Sequence, residues 1–97
     1  MQLPTTGKEF AKFLKCHRLT QRQFAAYCGK EDIRGLYWAR CVQQCEHLTL
    51  HNYAMIAFGY YRFRMEQLDQ LMINDEHALK LKASLFDSMM DGFERIM

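Results

Sequence analysis

A single proline and five glycines in 97 residues leave few helix breakers, and they exclude a collagen-like or low-complexity chain. No apolar run approaches the roughly 18 residues needed to cross a bilayer, so no membrane partner is expected. The N-terminus, Met1-Gln2-Leu3-Pro4-Thr5-Thr6, lacks a basic start followed by an apolar stretch. No secretory signal is therefore expected, and the cytoplasm is the expected compartment. Alternating β-branched runs are missing, which argues against strands. There is no glycine-rich phosphate loop and no carboxylate pair in a recognisable frame, so neither an enzyme nor a bound cofactor is expected. Net charge is also scarce, at +2, and by itself it predicts no partner. What is present is 49% hydrophobic and 25% charged residues, the balance of a folded globular chain. At this length there is room for one core, hence a single domain.

The small net charge is a cancellation. Residues 1–64 hold ten basic side chains against four acidic ones, +6, whereas residues 65–97 hold three basic against seven acidic, −4. A basic front and an acidic back predict that the front meets a polyanion.

Helical signals are strong and include start sites. Thr6-Gly7-Lys8-Glu9 fits a capping box, in which Glu9 reaches back to the Thr6 amide. The helix that follows buries Phe10, Phe13, Leu14 and His17, at i, i+3, i+4 and i+7, and runs to about residues 16–18. Thr20-Gln21-Arg22-Gln23 is a second capping box, with Leu19 and Phe24 as its hydrophobic staple and Gly29 as its terminator. A third helix is expected from about Asp32 to Gln44, with Leu36, Trp38, Ala39, Cys41, Val42 and Cys45 as its apolar surface. Leu48-Thr49 repeats the staple and cap. A fourth helix follows from about Leu50, with Tyr53, Ile56, Ala57, Tyr60 and Tyr61 turned inward or partly so; it either continues through Phe63, Leu68 and Leu71 to about Met72 or breaks near Gly59. Asn74 is a good cap for the last helix, whose stripe is Leu79, Leu85, Phe86, Met89, Met90, Phe93 and Ile96. So wide and methionine-rich a stripe either covers the core or pairs with a second copy. The fold class expected is all-α: a compact bundle of about five helices, with a C-terminal amphipathic helix.

The informative stretch is L-T-Q-R-Q-F-A-A-Y-C-G, residues 19–29. Leu19, Thr20, Gln21, Phe24, Ala25 and Gly29 match the second helix and turn of the Cro/C1-type (XRE) helix-turn-helix family, which this sequence resembles. The apolar first helix, the Tyr37-Trp38-Ala39-Arg40 segment and the Leu48-Thr49 start extend the likeness to the small phage-type repressors over roughly residues 6–59. Residues 60–97 have no counterpart and would form a helical extension. The resemblance implies a sequence-specific repressor that binds double-stranded DNA as a homodimer, with the helix after Gly29 in the major groove. Gln21 and Arg22 would hold phosphate, and Lys30 the backbone. Arg34, Tyr37 and Arg40, at i, i+3 and i+6, with Gln44 beyond, would face base edges. Leu85, Phe86, Met89, Met90 and Phe93 would make the dimer contact.

Two registers are open for the third helix. Counting straight on from Gly29 puts Lys30 and Gly35 at positions that usually pack. Sliding by three, so that Ile33 fills the turn, packs Trp38 and Cys41 instead. The rival function is a phage- or plasmid-type inhibitor or adaptor that binds a host protein and has no DNA affinity.

Other signals are weaker. Cys41, Cys45, His47 and His51 read C-x3-C-x-H-x3-H, but this is not a finger spacing and it crosses an expected helix break, so no metal is assigned. Cys16 and His17 are adjacent on a helix and point about 100° apart, so they are no catalytic pair. The four cysteines are expected as free thiols. Tyr53, Phe58, Tyr60, Tyr61 and Phe63, flanked by Arg62 and Arg64, read as a helix core with snorkelling arginines rather than a base-stacking surface.

Overall fold

The computed structural model describes residues 3–71 and 75–96, apart from the side chains of residues 68–71, 75, 77, 78 and 96. It is all-α. Five helices follow one another: α1 (Gly7–Cys16), α2 (Gln21–Tyr27), α3 (Ile33–Gln43), α4 (Leu50–Leu71) and α5 (Asp75–Ile96). No helix among the described residues is long and apolar enough to cross a membrane. The expected cap at Asn74 lies outside the described residues.

Local chemistry sets the helix ends. The Thr6 hydroxyl accepts from the Glu9 amide at 3.1 Å. The return arm differs from expectation: the Glu9 carboxylate takes the Thr5 amide and hydroxyl, at 3.3 and 2.9 Å, not the Thr6 amide. Thr20 and Gln23 form the full reciprocal box, with bonds of 3.1 and 2.9 Å. Thr49 caps α4 through the Asn52 amide at 3.1 Å.

α1 and α2 end alike. At α1 the Leu19 amide bonds the Leu14 carbonyl and the Arg18 amide bonds that of Lys15. At α2 the Lys30 amide bonds the Ala25 carbonyl and the Gly29 amide bonds that of Ala26. Both are Schellman closures, which need a left-handed residue after the cap. Gly29 fills that place at φ 87°, while Arg18 does so at φ 55° without glycine's freedom.

The core is built from Phe10, Phe13 and Leu14 of α1, Phe24 and Ala25 of α2, Ala39 and Val42 of α3, and Tyr53, Ile56, Ala57, Tyr60 and Phe63 of α4. The rings of Phe10, Phe13 and Phe24 meet pairwise with centroids 5.5–6.4 Å apart. Leu19, at the staple position, packs on this cluster. The N-terminal segment is fastened beside it: the Gly7 amide bonds the Cys45 carbonyl, and the Leu48 amide bonds that of Thr5.

α4 does not break at Gly59. The helix is continuous through residue 59, where the front half of the chain was expected to end. Gly59 is buried against α2; a Cβ there would lie 2.4 Å from Cys28 Sγ and 3.3 Å from the Phe24 ring. The glycine is there for the helix crossing, and packing offsets its poor helix propensity.

α5 folds back on α4. Tyr53 meets Phe93 edge-on at 4.9 Å, and its hydroxyl donates to the Met89 carbonyl at 3.0 Å. Gly92 leaves room for that hydroxyl. Leu85, Met89 and Phe93 pack on the core, whereas Leu79, Phe86 and Met90 are exposed.

Candidate nucleic-acid interface

The geometry of α3 begins with Ala25. This side chain is fully buried, and Gly35 lies directly over it: a Cβ on Gly35 would sit 2.9 Å from Ala25 Cβ and 2.2 Å from the Lys30 carbonyl oxygen. The register that counts straight on from Gly29 is therefore the one adopted. Gly35 occupies the packed position because only a hydrogen there lets α3 cross α2 so closely. The slipped register is not formed, since Ile33 is 77% exposed instead of filling the turn.

The inner line of α3 is Gly35, Ala39 and Val42, at i, i+4 and i+7. Trp38 flanks it, edge-on to Phe10, and its indole donates to Asn52 Oδ1 at 3.1 Å. Cys41 was expected among the apolar inner residues, but it is exposed. It lies about 160° round the helix from Ala39 and about 100° from Val42, on the far side of the cylinder from the inner line.

Fixing the inner line fixes the outer one. Arg34, Tyr37, Arg40 and Gln44 are all exposed and fall within an arc of about 120° opposite Gly35. Tyr37 is 72% exposed. Ile33 and Cys41 share this face, which the sequence reading missed because it counted both as packing residues.

The start of α3 carries acid as well as base. Asp32 caps the helix, its Oδ1 accepting from the Arg34 amide at 2.9 Å, while Oδ2 lies 3.8 Å from Arg34 Nε. Both side chains are mostly in solvent, so this pair constrains Arg34 weakly. With Gly29, Lys30 and Glu31 they border a shallow polar depression of about 270 Å3. Arg22 is exposed at the start of α2, and Gln21 and Lys30 are half-buried.

The remaining candidates separate from this face. Arg62 donates to the Tyr27 carbonyl at 3.2 Å and lies 5.8 Å over the Phe58 ring. Arg64 bonds Gln67 at 2.8 Å. Of the aromatic cluster, Tyr53, Tyr60 and Phe63 are core, whereas Phe58 and Tyr61 are exposed. Among the described residues no three His, Cys, Asp or Glu side chains gather as metal ligands. Cys45 instead donates to the Cys41 carbonyl at 3.5 Å.

His17 turns away from Cys16 into a cage of Phe13, Tyr60 and Phe63, with ring centroids at 4.7, 5.2 and 6.0 Å. Its Nε2 is buried without a hydrogen-bond partner. Burial, and then the positive charge of Arg64, hold its pKa below the usual 6.5. Cys28 is buried, donates to the Met55 carbonyl at 3.2 Å, and its thiol is pushed up to about 12 by that burial.

The arrangement thus offers one solvent-facing helix with two arginines, a tyrosine and a glutamine in a single arc, set on a tight two-helix crossing. Comparison with protein-family models, with curated proteins and with solved structures found no match to this chain.

Proposed function

We propose that the protein is a non-enzymatic transcriptional regulator, a repressor of the small phage type, that binds double-stranded DNA in the cytoplasm as a homodimer. The observation that carries this is the outward arc of α3. Arg34, Tyr37, Arg40 and Gln44 stand clear of the core on a helix held at Ala25 and Gly35. Arginine can pair bidentately with guanine and glutamine with adenine. Arg22 at the start of α2 and Lys30 in the turn supply phosphate contacts.

Fluorescence anisotropy on a duplex from the gene's own upstream region tests it. Binding is expected to weaken steeply with salt, as phosphate neutralisation requires. Arg34→Ala with Arg40→Ala is expected to lower affinity at least about tenfold without changing the circular dichroism. Binding indifferent to salt, or unchanged in the double variant, refutes the proposal.

A second reading has its own observation. Ile33 and Tyr37 expose two large apolar side chains on the same face, and Glu31 and Asp32 bring negative charge to its edge. A protein partner would accept both features more readily than a phosphate backbone does. One stoichiometric protein partner captured by the wild type and lost in Tyr37→Ala, with no DNA affinity, would favour this reading.

A further inference from the structure

Among the described residues, six of the eight large exposed hydrophobic side chains lie on α4 and α5: Leu50, Phe58, Tyr61, Leu79, Phe86 and Met90. The two helices run antiparallel. Tyr53 meets Phe93, and further along α4 Phe58 and Tyr61 line the same groove as Phe86 and Met89. This groove holds about 360 Å3 and is walled almost wholly by carbon and sulfur. Phe86 belongs to its wall, and Met90, one turn on, stands outside it.

Next to the apolar side chains the two margins carry opposite charge, while the exposed Glu66 and Lys80 lie farther round, about 80° from Phe58 and from Met90. On α4 the margin is Arg62, about 40° round the helix from Phe58 and lying over its ring. On α5 it is Asp87 and Glu94, both exposed, about 60° and about 40° from Met90. Groove and projecting side chains, cation and anions, therefore occur together on one surface. Such a surface is complementary to itself under a two-fold axis.

We infer that this face pairs with the same face of a second copy, α4 of each chain lying over α5 of the other, so that the two hairpins close a four-helix bundle. The inference rests on the homodimeric reading above and gives it a surface. Stacking α4 on α4 would bring the two Arg62 side chains together, whereas α4 on α5 sets Arg62 beside the partner's Asp87. The face comes close to, but does not exceed, the size a stable pair needs. Each helix has 22 residues and so is about 33 Å long, and two of them side by side span about 600–700 Å2. A stable pair needs about 800 Å2 from each partner, counted over an uneven surface. The contact residues differ from the α5 stripe taken alone. Leu85, Met89 and Phe93 already pack within the chain, so Phe86 and Met90 act with Phe58 and Tyr61 of α4.

Sedimentation equilibrium of the full chain tests the inference, with circular dichroism as the folding control. The wild type is expected to be dimeric, and Phe86→Lys and Met90→Lys are expected to raise the dissociation constant at least tenfold with helicity intact. Arg62→Glu and Asp87→Lys are each expected to weaken the pair, and the two together to restore it. A wild type that stays monomeric at about 100 μM overturns the inference and leaves the groove to another protein. So does a dimer indifferent to Phe86→Lys and to the charge reversals. Anisotropy on a single half-site separates this from the DNA reading. Salt-sensitive binding by a monomeric wild type overturns only the interface, and a charge-sensitive dimer without DNA affinity overturns only the DNA reading.

Discussion

Gly35→Ala is the sharpest perturbation of this fold, because the two registers of α3 give it opposite signs. If Gly35 faced solvent in the first turn of a helix, alanine would stabilise by about 1 kcal/mol, since it removes glycine's backbone entropy cost. In the structure the new methyl group would sit 2.2 Å from the Lys30 carbonyl oxygen and 2.9 Å from Ala25 Cβ. Overpacking costs about 1–3 kcal/mol, and the upper part of that range applies, since the nearer atom is main chain. Lys30 cannot retreat cheaply, because its amide is committed to the Ala25 carbonyl. After subtracting the propensity gain, the net loss is about 2 kcal/mol, a large part of the about 5–15 kcal/mol that holds a small domain together. Urea unfolding followed at the far-ultraviolet helix signal should show the midpoint falling by about 1–2 M with the slope unchanged. Ile33→Ala is the companion, expected to change stability by less than about 0.5 kcal/mol from its exposed position. A Gly35→Ala protein as stable as wild type or more so, with Ile33→Ala costing about 2 kcal/mol or more, would refute the packing of α3 argued here.

Thr20→Ala removes one arm of the α2 capping box and should cost about 1 kcal/mol in the same assay. His17 has a depressed folded pKa, so the unfolded chain takes up its proton first as acid is added. Its contribution is therefore whole above about 6.5 and is lost as pH falls below that value, and His17→Leu should flatten the slope of stability against pH in that window. Thiol labelling at about pH 8 should modify Cys16 and Cys41 in the native protein, with Cys28 reacting only after denaturant is added. Tyr53→Phe deletes the hydroxyl that donates to the Met89 carbonyl, and should cost about 1–2 kcal/mol and release α5 in preference to the other helices, as read by amide exchange.

Helix starts were legible because they are local. Thr6, Thr20 and Thr49 each act on the amide three residues on. Even there the return arm from Glu9 went to Thr5, which offers an amide and a hydroxyl together. The glycines were not legible. Gly35 and Gly59 both look like helix weaknesses by propensity, yet each is buried where another helix crosses, and the crossing partner is invisible in the sequence. That is why two registers stayed open, one of them with Ile33 in the turn, and why Cys41 was counted as inward. The candidate arc was legible as residue types at i, i+3 and i+6. Gln44 was legible with them; that the arc faces outward, and that Ile33 intrudes on it, depended on where Gly35 points. On α5 the stripe was visible, but its division into a half that packs within the chain and a half that remains exposed depends on the tilt of α5 against Tyr53.

The bond from Tyr53 to the Met89 carbonyl also bears on how the chain assembles in time. Contacts among α1, α2 and α3 join residues close in sequence and can form in the first collapse. Tyr53 and Met89 are separated by 36 positions, and the Arg95 contact to the Leu3 carbonyl by 92. Loops of that length close late, because their entropy must be lost before the contact rewards it. α5 is therefore expected to dock last and to detach first, as a cooperative unit whose opening uncovers Tyr53 and Ala57. A second copy seated on Phe86 and Met90 would bind only the docked form and would slow that opening by mass action.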